Sequence, residues 1–329
     1  MYPGLLIRSL MLLVIADIHI KLGQKNVPKD WAINRYQMFF DQVAEAEKSV
    51  DMIVVPGDIF DRMPTLEELT LYFQFVSQRR VRTIISTGNH EATKKGKSFF
   101  SELKGVTERL NPLVQVVVDY IHEDEKGFYV VPYEYIKKKE IWDKLEAKPV
   151  FTHVRGEIPP HVKPEIPLEW LSKFPVVFAG DLHSHSNTQK NIVYPGSPMT
   201  TSFHRNEVQT GYILINDDWS WVWKTFDLPQ LLRKTVSDPA EMVPTEFHHT
   251  IYELEGNIKD LSKVENSDLL DKKLVKRSSD TALVLDKKMS LSDELAEYLR
   301  YIQELPEQEI VNIMEVFNEY GGTAVHRVE

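Results

Sequence analysis

The sequence predicts an α/β protein with a layered core in which a second sheet packs on the first, and three observations carry that expectation. Short, nearly continuous apolar runs recur along the first half of the chain. Stretches with helical apolar spacing lie between the early runs, and a hairpin pattern follows them. Strands alternating with helices argue for the layered α/β core.

The apolar runs cover residues 11–16, 52–55, 82–86, 114–118, 128–131, 150–152 and 176–179, and each reads as a buried strand. The first is not a secretion signal. Only Arg8 precedes it, no small-residue cleavage pattern ends it, and it runs straight into Asp17 and His19. Met11 is an alternative start. Tyr36, Phe39, Phe40, Val43 and Ala44 repeat at the spacing of one helix face, as do Leu66, Leu69, Phe73 and Val76. Residues 212–215, a turn at Asn216-Asp217-Asp218 and alternating Trp219, Trp221 and Trp223 predict a hairpin whose tryptophans belong to the core. After Pro229 the text becomes richer in Lys and Glu, with strand-like 250–254 and 282–285. Residues 290–303 and 307–318 then read as two helices divided by Pro306. The expected division is a core domain at 1–230, a smaller α+β cap at 231–289 and C-terminal helices at 290–329.

Composition removes several function classes. The 329 residues contain no cysteine, which excludes disulfides, thiolate metal sites and a cysteine nucleophile. No window is apolar and long enough to cross a bilayer. The net charge of −10 repels nucleic acid on average. Metal ions or a basic partner would have to supply the positive charge for a DNA substrate. No Gly-x-x-x-x-Gly-Lys-Ser/Thr phosphate loop occurs, so any ATP chemistry belongs to a partner.

The chemistry gathers in five motifs, each just after an expected strand: Asp17-Ile18-His19, Gly57-Asp58-Ile59-Phe60-Asp61, Gly88-Asn89-His90-Glu91, Thr152-His153 and Gly180-Asp181-Leu182-His183. Strand ends of an α/β sheet are where functional groups collect. Any one motif is weak, whereas five in this order are specific. Two divalent ions about 3.5–4 Å apart need a bridging carboxylate, for which Asp58 is the candidate, and neutral ligands that leave positions open. Water held between two such ions becomes the nucleophile for in-line attack on phosphorus, without a covalent enzyme intermediate.

The set resembles the signature of calcineurin-like metallophosphoesterases. Leu22-Gly23 with Arg35, the Gly-Asp-Ile-Phe-Asp string, and Tyr194-Pro195-Gly196-Ser197-Pro198 with Ser202-Phe203 narrow the resemblance to the SbcD type of DNA-repair nuclease subunit, phage-type members included. It covers roughly the first two thirds of the chain. The resemblance implies an α/β/β/α core. It also implies one ion held by Asp17, His19, Asp58 and His183, and a second by Asp58, Asn89, His153 and Asp181. Manganese is the expected metal, with magnesium as the alternative, and His90 acts beside the leaving oxygen as the catalytic group that is not a ligand. Further implications are DNA as substrate, a homodimer working with an SMC-like ATPase of the SbcC type in a heterotetramer, and an intracellular setting, the host cytoplasm for a phage protein.

One position departs from the family pattern Gly-His-x-His, because Asp181 stands where an imidazole is expected. Three readings stay open: Asp181 ligates directly, His183 and His185 act as the pair, or the second site is weakened. Spacing from Gly180 favours the first. Asp61 is an outer-shell candidate. Lys94, Lys95 and Lys97 would border the metals and could contact DNA. Lys137–Lys139, Arg79-Arg80 with Arg82, and Lys272-Lys273 with Lys276-Arg277 read as solvated faces, and His248-His249 as structural.

Three functions fit. The first is a manganese-dependent nuclease, exonucleolytic on duplex ends and endonucleolytic on single strands. The second is a small-molecule phosphodiesterase or protein phosphatase of the same fold. The third is a non-catalytic binding subunit in DNA repair.

Overall fold

The computed structural model describes residues 11–92, 98–275, 290–301, 303 and 305–321. Two sheets stack at its centre. The first has six strands in the order Trp221–Thr225, Gly211–Ile215, Leu12–Val14, Met52–Pro56, Arg82–Ser86 and Val114–Val117. Its last four run parallel, and the hairpin 211–225 adds antiparallel to Leu12–Val14. The second has five: His122–Asp124, Phe128–Val131, Val150–His153, Val177–Gly180 and Ile192–Val193.

The period-two alternation of a strand explains why these runs are apolar throughout. Leu12, Val14, Met52, Val54 and Ile84 of the first sheet meet Phe128, Val130, Phe151 and Phe178 of the second in one cluster. Their neighbours Leu13, Ile15, Ile53, Val55 and Ile85 point the other way. They pack on Tyr36, Phe39, Phe40 and Val43 of the helix Lys29–Glu47 and on Tyr72, Phe75 and Val76 of the helix Leu66–Ser77. On the far side, Val131, Val150, Val177 and Ala179 pack against Ile136, Trp142, Leu171 and Phe174. The result is the expected α/β/β/α layering.

Two helices lie outside the expected elements. Lys139–Lys144 is short and buries only Trp142. Phe100–Leu110 has apolar spacing at Phe100, Leu103, Val106 and Leu110, but Gly105 interrupts it and Val106 and Leu110 stay exposed. Trp219 and Trp223 pack on the core as expected, Trp219 from the turn at φ +66° against Phe128 and Phe151, whereas Trp221 is 37% exposed.

A three-stranded sheet follows the core, with Leu231–Val236, His249–Gly256 and Leu270–Val275 in that order. The chain divides into two compact units, 1–254 with 266–272, and 255–265 with 273–329. In the second unit the helices Leu291–Tyr301 and Glu307–Gly321 are tied by Arg300 to Glu307 and by Ser292 to Asn318. The strand-like stretch 282–285 and Lys94, Lys95 and Lys97 lie outside the described residues.

Candidate metal centre

All five motifs leave the C-terminal ends of parallel strands and converge. Asp17 and His19 follow Leu12–Val14, Asp58 follows Met52–Pro56, and Asn89 and His90 follow Arg82–Ser86. His153 ends Val150–His153, and Asp181 and His183 follow Val177–Gly180. Four of these residues hold left-handed backbone, Asp17 at φ +56°, His19 at +48°, Asp58 at +52° and Asp181 at +101°. Such strain persists only where the surroundings enforce it, and it clusters at functional sites. Gly57 and Gly88 permit the close approach. A Cβ on Gly57 would strike the His153 ring, and one on Gly88 would strike the Asp58 carboxylate.

Asp58 lies at the middle of the cluster. Its Oδ2 is 3.5 Å from His19 Nε2, 3.3 Å from His153 Nε2 and 3.8 Å from His90 Nε2. His19 Nε2 and His183 Nε2 face each other at 3.0 Å. The Asn89 amide oxygen stands 2.9 Å from His153 Nε2, and the same atom position is 3.0 Å from Asp58 Oδ2. Ring nitrogens and carboxylate oxygens thus crowd one space, and among the described residues Asp17 Oδ2 is buried without any hydrogen-bond partner. Buried acceptors are normally satisfied. A cation between them resolves the conflict, so the donor set fits divalent metal. Three groups lie close enough to share an ion: Asp17, His19 and His183; Asp17, Asp58 and His153; and His19, Asp61 and His90.

The next layer fixes the rings. His153 Nδ1 donates to the Pro56 carbonyl at 3.0 Å, which turns Nε2 toward Asp58. His90 Nδ1 donates to the Asp61 carbonyl, and His183 Nδ1 meets Thr201 Oγ1 at 3.1 Å. Lys21 pairs with Asp61 at 2.8 Å. Glu91 receives N–H groups from Asp58, Phe60 and Gly88 at 3.1, 2.9 and 2.8 Å, so one buried carboxylate holds two ligand loops together. The Tyr194–Pro198 string is a brace: Ser197 Oγ donates to the Asp17 carbonyl at 2.7 Å, and Tyr194 Oη to the Val154 carbonyl at 3.0 Å.

Electrostatics follow from burial and crowding. Burial, with Asp58 and Asp181 adding to it, lifts Asp17 to about 7. Burial drives His19 down to about 3 and also lowers His183. Burial opposes a proton on His153, but the adjoining Asp58 outweighs it and raises His153 to about 10. Burial likewise opposes ionisation of Asp58, yet the surrounding imidazoles hold it below the usual carboxylate range. Glu91 is pushed up to about 8 by burial and then by Asp58.

Asp181 is in the cluster, with Oδ1 3.8 Å from His153 Nε2, and its N–H donates to Asp17 Oδ1 at 2.9 Å. Its carboxylate is gripped by Arg155, which the sequence reading passed over. The signal was its place: Arg155 lies two residues beyond His153, just past a strand end where the other site residues gather. His185 points elsewhere, parallel to Trp223 and bonded from Nδ1 to the Tyr194 carbonyl at 2.7 Å. Arg79 is not on a solvated face but buried against Glu47 and Phe75. His249 packs on Trp31 and Phe203, a structural placement.

The family model described as calcineurin-like phosphoesterase matches residues 10–205. A protein of Escherichia phage T5 described as probable exonuclease subunit 1 is 38% identical over 92% of this chain and 96% of its own length. A putative phosphoesterase, 244L, of Invertebrate iridescent virus 6 is 26% identical over 70% of this chain and 88% of its own. Among solved structures, a Thermus thermophilus protein aligns with a TM-score of 0.43 at 12% identity, covering 66% of this chain and 99% of that one.

Proposed function

This chain belongs to the calcineurin-like phosphoesterase family, and from that premise we propose that it is a two-metal DNA nuclease, the SbcD-type subunit of a larger complex. It is a metal-dependent phosphoesterase. The observation that carries the further step is the grouping of Asp17, His19, Asp58, Asn89, His153, Asp181 and His183 in one crowded set of ring nitrogens and side-chain oxygens, in a chain 38% identical to a phage protein described as a probable exonuclease subunit.

In this reading Asp17, His19, Asp58 and His183 hold one ion, and Asp58, Asn89, His153 and Asp181 the other. The ligands are oxygen and imidazole without thiolate, which suits manganese, and magnesium next. The ions, when bound, polarise the phosphoryl oxygens and lower the pKa of attacking water. The protein's own part is orientation. His153 and His183 are locked by Pro56 and Thr201. His90, with Nδ1–H fixed on Asp61, presents Nε2 to the site, where it can give a proton to the leaving oxygen.

The word subunit in the relative's description supports a partner, which we take to be an SMC-like ATPase, with this chain as a homodimer in the assembly. Residues 231–289 are proposed to position DNA and 290–329 to dock the partner. No helix among the described residues is long and apolar enough to cross a membrane. An intracellular location follows from the proposed substrate.

The test is cleavage of end-labelled linear duplex with manganese, magnesium or chelator, beside an Asp58→Asn control. Manganese-dependent shortening abolished by the substitution is expected. Failure with every metal, both alone and with the ATPase partner added, would overturn the nuclease reading.

A further inference from the structure

A cavity of about 620 Å³ opens beside the metal cluster, and His183 belongs to the walls of both. That volume falls in the range of small-ligand pockets. Among the described residues its lining includes no carboxylate, lysine or arginine. A phosphate has nothing there to neutralise it, whereas an uncharged polar group does not need neutralising. One wall is aromatic and fixed: His185 and Trp223 lie parallel at 5.1 Å, held by hydrogen bonds to the Tyr194 and Pro195 carbonyls. Three side chains on the lining, Asn187, His204 and Gln209, have no hydrogen-bond partner among the described residues.

A flat uncharged ligand with both donors and acceptors matches this surface. Carboxamides read base edges, and aromatic walls accept unstacked bases. We propose that the cavity is a nucleoside subsite, receiving the base and sugar joined to the scissile phosphate while the phosphate itself faces the metal cluster across His183. This deepens the nuclease reading and rests on it. A nucleotide must leave its stack to enter, which is easiest at a frayed end or in a single strand. The cavity would therefore select those substrates.

The test uses the full chain in chelator, so that binding is read without turnover. Thymidine, which carries no phosphate for the metal-free carboxylates to repel, is the probe, followed by line broadening of its thymine methyl resonance. Ser186→Trp should fill the cavity and weaken binding by about tenfold or more, an effect of one good contact set. Gln209→Ala should weaken it by about fivefold, the scale of one hydrogen bond. Neither residue is among the proposed ligands, so with metal both variants should hydrolyse bis(p-nitrophenyl) phosphate, which has no nucleoside, at the parental rate. If Ser186→Trp disturbs that control, Gln209→Ala alone decides. No saturable binding by the parent, or undiminished binding in the variant that keeps its control activity, would overturn the subsite. A parent that binds thymidine but cleaves no diester with any metal would leave the pocket standing and overturn the nuclease reading instead.

Discussion

Arg155 holds Asp181 by both carboxylate oxygens, Nε to Oδ2 at 2.8 Å and Nη2 to Oδ1 at 3.1 Å. The aspartate side chain is 4% exposed and the arginine side chain 41%. A carboxylate beside Asp17 and Asp58 would be repelled by both, so the arginine supplies charge that an imidazole at this position would not need. Arg155→Gln should lower the melting temperature in chelator by the equivalent of about 1–3 kcal/mol, less than for a fully buried pair because the arginine is partly solvated. Added manganese should shrink the gap, since a cation near Asp181 replaces the lost charge. Thermal unfolding with and without metal reads this directly. An equal loss in both conditions would mean that Arg155 acts independently of the ion site.

The core strands and first two helices were legible in the sequence because their apolar periods are complete. Phe100–Leu110 was not, since Gly105 interrupts its apolar spacing and leaves a helix whose Val106 and Leu110 stay at the surface. The site divided similarly. Asp17, His19, Asp58 and His153 stand out as chemistry-bearing residues at strand ends. Arg155 and the bracing role of Tyr194–Pro198 depend on what lies across the fold, 26 residues away for Arg155 and Asp181 and 180 for Asp17 and Ser197. Linear spacing carries no record of such contacts.

Glu91 sits inside a recognised motif, yet its work is mechanical. Its two oxygens satisfy three backbone N–H groups from both ligand loops. Above about pH 8, where Glu91 is ionised, glutamine keeps the shape but turns one acceptor into a donor. Glu91→Gln should then cost about 2–4 kcal/mol from unsatisfied buried donors and weaken metal binding through Asp58. Denaturant unfolding and calorimetric metal titration check the two effects. Normal metal affinity in a destabilised variant would show that the loops hold without the clamp.

Ion binding should release protons. At neutral pH the metal-free centre keeps a proton on His153, raised to about 10, and a share on Asp17, raised to about 7. His19, at about 3, and the lowered His183 are already neutral ligands. Because ligands must be deprotonated, apparent affinity rises with pH, and the release should fall from about two protons near pH 6 to about one above pH 8. Titration calorimetry in buffers of different ionisation enthalpy counts them. A pH-independent affinity would exclude His153 and Asp17 as ligands.

Asp58 and His90 are neighbours with different expected roles, and substitution separates them. Asp58 Oδ2 lies within 3.5 Å of both His19 and His153, so Asp58→Asn removes the charge shared by the two proposed ions and should lose both metal binding and cleavage. His90 Nε2 is farther, at 3.8 Å from the same oxygen, and its other nitrogen is committed to Asp61. His90→Ser should therefore retain metal affinity within about threefold while cleavage falls by about 10²–10⁴, the range for losing a general acid. A leaving group that needs no proton sharpens the comparison. Turnover of a p-nitrophenyl diester should suffer far less than DNA cleavage in His90→Ser, because p-nitrophenolate departs unprotonated. Equal losses on both substrates, together with loss of metal, would make His90 a ligand, as its grouping with His19 and Asp61 also permits.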